Sequence, residues 1–423
     1  MGRAGIATRA LLQASLVYEA ARSGVHAALG VEGAPVLNLA RMMAHKTAAV
    51  VAMARRMEVA FEKHNVTGLV GEARLAGPGR VVVRTAAGHE RIFAARNIVI
   101  ATGARPMRLP VVALDHRRII DCSDALALAR VPDRLAIAGA GAAGLEIGSI
   151  WRRLGSDVTL VAAQERIGDG LDHEIADALR AALERQGLVF HLASDVVGAQ
   201  MLGEEVRLTL QSADGAIRSR DVDMLVVAIG REPALDGLNL ASVGLRHNAG
   251  KPLPNQGGRT KAPGVWVIGD AAAGPGLAHR GAEEGIACVE QIAGLPGHVD
   301  YGAIPRLLRT RPEVATLGRT EEELVASGVT YKIGRASLAS DGTAMSGGDA
   351  EGFVKLLVDA RTHLILGAHL IGPGAGDMIA ELGLAMETSA ICEDIARTSH
   401  PQQTRSQAVR QAAMDAGGWR MLE

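Results

Sequence analysis

The sequence predicts an α/β protein with doubly wound parallel sheets that ends in a smaller α+β domain. Three observations support this fold class. Apolar strands alternate with helical patterns over residues 134–230, a glycine-rich turn joins one strand to the next helix, and hairpin-like strands dominate residues 313–372. Such alternation is typical of parallel sheets with crossover helices. With 423 residues the chain is too long for one compact core, so we expect several domains.

Composition excludes some classes of partner. The net charge is −1, which provides no electrostatic attraction for nucleic acid or for an anionic membrane. Aromatic residues make up 2% of the chain, too few for a platform on which bases stack. No apolar run reaches about 18 residues, and the N-terminus lacks the apolar core of a secretory signal. We therefore expect no nucleic-acid partner and no membrane span.

The first hundred residues combine long helices with short strands. Apolar residues recur at three- and four-residue intervals over residues 9–22 and 37–66, which predicts two helices. Short β-rich segments follow, and the last, "NIVIATG", has the pattern of a buried strand that ends in a turn at Gly103. Pro106 and Pro110 then mark a linker.

Residues 134–230 contain the clearest strand–helix alternation. A strand, a glycine turn and a helix that stops at Gly155 precede a strand that begins near Asp157. A helix over residues 172–186 and the strand after it repeat the unit. A hairpin around residues 213–215 then leads to another apolar strand.

The last third of the chain changes in character. The strand "VWVIGD" ends at Asp270, and a helix is expected to begin near Leu277. Residues 313–372 are rich in strands, and helices are predicted over residues 375–390 and 402–416. This pattern indicates an α+β terminal domain.

The motif Gly139-Ala-Gly141-Ala-Ala-Gly144 follows an apolar strand and opens a helix. The first glycine permits a tight turn, the second lets the backbone approach a pyrophosphate, and the third lets the helix pack close to the strand. The helix N-terminus then offers free N–H groups to phosphates. A chance glycine-rich turn is the alternative, but the strand before the motif and the helix after it favour a dinucleotide-binding fold.

Binding of a dinucleotide depends on a second feature. An acidic residue at the end of the next strand usually holds the adenosine ribose. Here Ala162 stands at that position, and Glu165, three residues later, is expected to be a surface acid. The sequence therefore predicts a dinucleotide-binding fold that lacks the usual side-chain contact to the adenosine ribose.

Asp270 allows two interpretations. An Asp at the end of a buried strand lies where open α/β sheets bind ligands, and its carboxylate could accept a hydrogen bond from a ribityl or ribose hydroxyl. Equally, it could cap the N-terminus of the following helix.

The order of these motifs resembles the flavin-dependent pyridine nucleotide–disulfide oxidoreductases. "IVIATGARP", the glycine turn, "VVAIGREP" and "TKAPGVWVIGD" follow one another at the family's spacing. "GPGLAHRGAEEGIACVEQIAG" and "GAHLIGPGAGDMIAE" resemble dihydrolipoyl dehydrogenase more than its glutathione or mercuric relatives. The likeness covers nearly the whole chain and implies FAD and NAD as cofactors.

The resemblance also implies domains and site residues. It predicts an FAD domain in residues 1–113 and 239–300, an NAD domain in 114–238 and a dimerisation domain in 301–423. The positions that match FAD-contacting residues are Arg9, Gly103, Asp270, Gly276, Leu277, Ala278 and His279. The positions that match the NAD site are Gly139, Gly141, Gly144, Glu146 and Gly230.

The N-terminal part departs from the family. Members begin with a strand–GxGxxG–helix–strand unit for the FAD pyrophosphate, and we expect the FAD domain to be incomplete because this unit is absent from the sequence. A redox-active cysteine pair should follow, but Gly5 stands at the second cysteine and Arg9 replaces the following lysine. The first cysteine would lie before Met1. The remaining thiols, Cys122, Cys288 and Cys392, are far apart in sequence and form no CxxC motif, so we expect inert thiols and no metal site.

The C-terminal part departs as well. In the family a His and a Glu five residues later form an acid/base dyad that deprotonates dihydrolipoamide. Ungapped alignment places Gln402 at the His and Gln407 at the Glu. A glutamine cannot accept a proton at physiological pH. His400 lies two residues early, so we expect it to be a polar residue that flanks a helix rather than a base.

Arg9 and Glu146 match a Lys–Glu pair that lies beside the flavin in the family. Arginine could keep such an ion pair, although its planar guanidinium differs from a compact ammonium. We therefore expect a structural salt bridge between Arg9 and Glu146.

Together these departures predict a dihydrolipoyl dehydrogenase-like pseudoenzyme without dithiol oxidation activity. It would serve as a structural or regulatory subunit, as a homodimer or paired with an intact paralogue, and a 2-oxoacid dehydrogenase complex is a candidate partner. The resemblance and the missing signal imply the cytoplasm or the mitochondrial matrix. The alternative is an active FAD- or NAD-dependent oxidoreductase that reduces a small acceptor without a redox disulfide.

Overall fold

The computed structural model describes residues 3–24, 30, 33, 35–246, 248, 250–253, 257–340 and 351–419. The chain divides into two compact units. The first unit contains residues 1–7, 45–107 and 230–299, and the second contains residues 8–44, 108–229 and 300–423. The two units are described one at a time below.

Two long helices open the chain, as predicted. Helix α1 covers Arg3–Arg22 and helix α2 covers Leu39–Lys63. Helix α1 begins six residues earlier than the expected residue 9. Across the described residues, no helix combines the length and the apolar character that a bilayer crossing requires.

Short strands, most of helix α2 and one further helix build the first unit. Strands β1, β2 and β3 form an antiparallel meander over Glu72–Leu75, Arg80–Arg84 and Glu90–Ala94. Two further pairs follow, β4 (Ile98–Ile100) with β15 (Val265–Val267) in parallel and β5 (Ala104–Pro106) with β14 (Arg231–Pro233) in antiparallel orientation. Helix α6 covers Ala278–Ile292 and begins where the sequence predicted a helix. The strand predicted in "NIVIATG" is confirmed at β4, but only Ile100 of its three residues is buried and Val99 is exposed.

A five-stranded parallel sheet forms the centre of the second unit. Its order is β6-β13-β7-β8-β9, with bounds Ile119–Asp121, Met224–Val227, Arg134–Ala138, Asp157–Val161 and Val189–His191. The helices that connect or flank these strands are α3 (Cys122–Ala125), α4 (Ala142–Leu154) and α5 (His173–Arg185). The doubly wound sheet is therefore confirmed.

The C-terminal end of α4 lies where the sequence predicted it. Gly155 has a left-handed conformation with φ 117°, and its N–H bonds to the last carbonyls of the helix. This conformation favours glycine and ends the helix where predicted. Strand β8 then begins at Asp157.

An antiparallel excursion covers part of this sheet. Strands β10, β11 and β12 run over Ser194–Leu202, Glu205–Ser212 and Ile217–Val222. The hairpin predicted around residues 213–215 joins β11 to β12. Apolar side chains of β11 such as Val206 and Leu208 pack against the central sheet.

The chain ends in an α+β domain, as predicted. Its antiparallel sheet has the order β16-β17-β20-β19-β18, with bounds Arg306–Leu308, Val314–Gly318, Ile365–Ile371, Phe353–Asp359 and Tyr331–Ser337. The helices are α7 (Glu321–Ala326), α8 (Ala375–Glu387), α9 (Cys392–Arg397) and α10 (Gln407–Ala416).

The last helix corrects one prediction. A helix was expected over residues 402–416, but α10 begins at Gln407. The five residues before it form turns, and Gln403 has φ 60°, outside the range of a right-handed helix.

Candidate functional site

The glycine turn between β7 and α4 has the geometry that its sequence predicts. Gly139 has φ 112°, and a Cβ atom on it would overlap the carbonyl oxygen of Ala228. A Cβ atom on Gly144 would overlap the carbonyl oxygen of Gly139. The turn and the close approach of helix to strand therefore require glycine at both positions.

The N-terminus of α4 is available to an anion. Its N-cap residue is Gly141, which provides no side-chain cap, so the first N–H groups of the helix keep their donor capacity. The carboxylate of Asp169 lies next to this residue, with Oδ2 at 2.9 Å from the position of a Cβ on Gly141. Sequence reasoning missed Asp169, and the only local signal was its place between two glycines.

The end of β8 lacks a ribose-binding side chain. Ala162 is 4% exposed and donates its N–H to the carbonyl of His191 at 3.0 Å. Glu165 is exposed to solvent, as expected for a surface acid. The strand end therefore offers a methyl group where the motif usually has a carboxylate.

Glu146 has a different partner from the one expected. Its Oε1 accepts a hydrogen bond from the backbone N–H of Arg309 at 3.0 Å. Burial raises the pKa of Glu146, and the Arg309 hydrogen bond only partly opposes this shift. Within the part of the chain that the structure describes, Arg9 and Glu146 form no ion pair, so the predicted salt bridge is wrong.

Gly103 and Gly230 hold neighbouring turns of the first unit. The carbonyl of Gly103 accepts a hydrogen bond from the N–H of Ala234 at 2.9 Å. The carbonyl of Gly230 accepts one from the N–H of Met107 at 3.0 Å. Both glycines therefore anchor the β5–β14 pair.

Asp270 does not cap the following helix. The N-cap of α6 is Leu277, without a side-chain hydrogen bond, and Asp270 lies in a short 3₁₀ turn before it. The Asp270 side chain is 26% exposed, and its Oδ2 lies 3.9 Å from Nε of Arg231. The capping interpretation is therefore wrong, and the ligand-facing carboxylate stays a prediction. Residues 276–279 lead into the uncapped N-terminus of α6.

Two buried charged residues hold the loop that carries Asp270. Arg280 donates from Nη2 to the carbonyl of Gly269 at 2.7 Å, and Glu284 accepts the N–H of Gly269 on Oε2 at 2.6 Å. Both side chains are at most 1% exposed, and Arg280 Nε lies 3.6 Å from Glu284 Oε1. Neither residue was singled out from the sequence, where the one signal was their four-residue spacing in α6.

Gly5, Gln402 and Gln407 stand at the positions that the sequence aligns with the family's catalytic groups. Gly5 lies in α1, and no atom lies within 4 Å of the place a Cβ would take. Gln402 is exposed, and Gln407 is the first residue of α10. Neither residue type is a base.

His400 is buried and paired. Its Nε2 lies 2.9 Å from Oε1 of Glu381, its Nδ1 lies 3.0 Å from the carbonyl oxygen of Thr398, and the side chain is 4% exposed. Both ring nitrogens therefore have partners within the chain.

The three cysteines form no disulfide. Burial raises the pKa of Cys288, and burial together with a hydrogen bond to Glu393 raises the pKa of Cys392 to about 12. His363, Cys392 and Glu393 bring potential ligand atoms within 4.8 Å of one another, and hydrogen bonds already join them. The raised pKa values make the thiols of Cys288 and Cys392 poor nucleophiles at neutral pH.

The doubly wound sheet with its glycine turn and the C-terminal α+β domain agree with the family that the sequence matches. The family profile described as pyridine nucleotide-disulphide oxidoreductase matches residues 6–285, and that family's dimerisation domain matches residues 304–413. The chain belongs to the pyridine nucleotide-disulphide oxidoreductase family. This family uses FAD and a pyridine nucleotide, and its members dimerise through the C-terminal domain.

Similar proteins within the family are dihydrolipoyl dehydrogenases. Dihydrolipoyl dehydrogenase 3 of Pseudomonas putida is 47% identical over 415 residues, which cover 98% of this chain and 89% of that protein. Dihydrolipoyl dehydrogenase 3 of Pseudomonas aeruginosa is 48% identical over 97% of this chain and 88% of that protein. The crystal structure of LpdA from Mycobacterium tuberculosis matches the fold with a TM-score of 0.89 at 23% identity, over 96% of this chain and 89% of that one.

Proposed function

We propose that this chain is a dihydrolipoyl dehydrogenase-like pseudoenzyme that does not oxidise dithiols. It would act as a structural or regulatory subunit that dimerises through its C-terminal domain. The observation that carries the proposal is the agreement of three substitutions, Gly5, Gln402 and Gln407, at the positions of three separate catalytic groups. Each alone removes one requirement of the reaction.

The glycine at position 5 removes the disulfide. Electron transfer from flavin to a disulfide needs two sulfur atoms within bonding distance of each other. Gly5 supplies none, and this holds whatever residue stands at the other cysteine position. Its place in α1 has open space around it, so the position would accommodate a side chain.

The two glutamines remove the acid/base dyad. Deprotonation of a dithiol needs an imidazole that a carboxylate orients. Gln402 and Gln407 provide amides instead, and His400 has both ring nitrogens engaged with Glu381 and Thr398. These observations support the loss of general-base chemistry.

We also propose that the flavin half of the fold keeps a site that fits FAD. The Asp270 carboxylate remains exposed to a ligand, the N-terminus of α6 is uncapped, and buried Arg280 and Glu284 hold the loop between them. Asp270 would accept a hydrogen bond from a ribityl hydroxyl, and α6 would offer N–H groups to a phosphate. FAD, when bound, supplies two-electron redox chemistry.

This intact flavin loop favours the second candidate, an FAD- or NAD-dependent oxidoreductase that reduces a small acceptor without a disulfide. The same observation is compatible with a cofactor that stabilises the fold only. As partners we propose a second copy, an intact paralogue or a 2-oxoacid dehydrogenase complex, in the cytoplasm or the mitochondrial matrix.

A spectroscopic experiment separates the two candidates. The full chain is purified, its visible spectrum is recorded, and NADH is added without oxygen and then with a quinone acceptor. The pseudoenzyme proposal predicts no acceptor reduction beyond the rate with free flavin. Flavin absorbance that NADH bleaches and the acceptor restores, turnover after turnover, would establish the second candidate instead.

A further inference from the structure

A short loop after β8 lies against the glycine turn. The N–H of Gly168 donates to the carbonyl of Ala140 within the glycine motif at 2.8 Å. The N–H of Leu171 donates back to the carbonyl of Gly168 at 2.9 Å, which closes the loop as a tight turn. The backbone of Asp169 is therefore tied to the motif itself.

Arg306 holds the same loop from its other side. Its Nη2 donates to the carbonyl of Asp169 at 2.5 Å, and its Nη1 donates to the carbonyl of Gly170 at 3.2 Å. A Cβ atom on Gly170 would lie 2.8 Å from Nη1, so glycine permits this close approach. With both carbonyls bonded to one guanidinium, the backbone that carries Asp169 is held in place from this side.

The carboxylate of Asp169 lies in the space that the motif reserves. Oδ2 and Cγ are 2.9 and 3.7 Å from the position of a Cβ on Gly141. In a dinucleotide-binding turn, the missing side chain of the second glycine leaves room for the pyrophosphate. Here an anionic side chain occupies that room, and like charges at such distances repel.

We propose that Asp169 is an autoinhibitory residue that excludes the pyrophosphate of a dinucleotide from the glycine turn. The inference rests on the placement of the nicotinamide-cofactor site at Gly139–Gly144. It agrees with Ala162, which removes the usual ribose contact at the neighbouring strand end. The Asp169 carboxylate lies beside Gly141, the N-cap residue of α4, and Arg306 is the residue that positions its loop.

The test measures nucleotide binding rather than turnover. NADH is titrated by fluorescence and ADP by calorimetry into the full chain and into its Asp169→Asn and Asp169→Ala variants. Asp169→Asn keeps the size and removes the charge, so we expect roughly tenfold tighter binding of both probes. Asp214→Asn, in the hairpin between β11 and β12, makes the same change in net charge and should leave both affinities unchanged.

Each outcome decides the inference. Tighter binding to Asp169→Ala alone would still support occupancy of the pyrophosphate position and would assign the effect to size. Equal affinities in all proteins, or no binding by any of them, would overturn the inference. Dihydrolipoamide oxidation plays no part in this test, so its outcome and that of the pseudoenzyme proposal are independent.

A second variant tests the positioning role of Arg306. Arg306→Met should speed amide hydrogen exchange at residues 168–170 and tighten ADP binding by less than Asp169→Asn does, because the carboxylate remains but is free to leave. Faster exchange without any change in affinity would show that Arg306 only stabilises the fold.

Discussion

The imidazole of His400 and the carboxylate of Glu381 form a buried pair, with Nε2 and Oε1 2.9 Å apart. Because Nδ1 also faces a carbonyl oxygen at 3.0 Å, the pair ties the segment before α10 to helix α8. A histidine oriented by a carboxylate looks like half of a catalytic dyad. Here both ring nitrogens are engaged within the chain, which favours a structural role for the pair.

We predict that His400→Gln and Glu381→Gln each lower the free energy of unfolding by about 1 to 2 kcal/mol, since each leaves a partly buried polar group without its charged partner. The double variant should lose less than the sum of the two, which a double-mutant cycle in denaturant measures. Additive losses would show that the two side chains do not interact in solution.

Lys355 is a buried cation whose charge is balanced by neighbouring carboxylates. Its Nζ lies 3.0 Å from Oδ1 of Asp172 and 2.6 Å from Oε2 of Glu321, and the lysine side chain is 2% exposed. Lys355→Met should lower the free energy of unfolding by about 3 kcal/mol, because it leaves Asp172 charged and buried. Thermal or denaturant unfolding tests this, and Lys332→Met, an exposed lysine in β18, provides the control. An equal effect of both variants would contradict the prediction.

Acid should weaken the contacts of Lys355 with Asp172 and Glu321. Burial alone would raise the pKa of Asp172, but His369, Lys355 and hydrogen bonds outweigh it, so its pKa lies below the ordinary value. The Lys355 hydrogen bond likewise lowers the pKa of Glu321. Carboxyls with a lowered pKa contribute stability above about pH 4, their unfolded value, and that contribution is lost as pH falls through the folded pKa.

The measurement is the free energy of unfolding against pH for the wild type and for Asp172→Asn. The wild type should lose stability steadily below about pH 4, and the variant should show a shallower slope there because one titrating group is gone. Parallel curves would show that Asp172 does not contribute to acid sensitivity.

Arg153 is a buried cation that, unlike Lys355, is poorly compensated. None of its guanidinium nitrogens has a hydrogen-bond partner among the described residues, and Nε lies 3.4 Å from Oε2 of Glu19. Burial lowers the pKa of Arg153 to about 10. Replacement by Met should therefore raise the free energy of unfolding by about 1 kcal/mol, since a poorly compensated buried charge is removed.

The neighbouring Arg152 is the matched control. Its guanidinium donates to the carbonyls of Gln186 at 3.0 Å and Ser156 at 3.1 Å. Arg152→Met should destabilise the protein under the same conditions, so the two adjacent substitutions are expected to have opposite signs. A loss of stability in Arg153→Met would indicate that a group outside the chain satisfies that guanidinium.

A comparison of two glycines with similar φ angles separates the cost of atomic overlap from the cost of backbone strain. Gly139 and Gly155 have φ of 112° and 117°, but only at Gly139 would a Cβ overlap backbone atoms. Both alanine variants bear the cost of positive φ, about 1 to 2 kcal/mol. Gly139→Ala should lose clearly more stability than Gly155→Ala in urea unfolding. Equal losses would mean that the strand and helix move apart at no cost.

The sequence predicted what depends on neighbours along the chain. The glycine turn, the stop at Gly155 and the hairpin at residues 213–215 are local features, and all three were found in place. It could not show which side chains meet across the fold. Glu146 bonds to Arg309, 163 residues away, instead of Arg9, and Asp169 approaches Gly141 only because a loop folds back. Such contacts depend on tertiary packing, which spacing and propensity do not encode.

The most direct test of the central claim is the oxidation of dihydrolipoamide by the purified chain, supplied with FAD and NAD, followed as NADH formation. With glycine and glutamine at the catalytic positions, we predict no NADH formation above the protein-free rate. Steady NADH formation that depends on this chain would contradict the proposal. If that activity disappeared in His400→Gln, His400 would be the base after all.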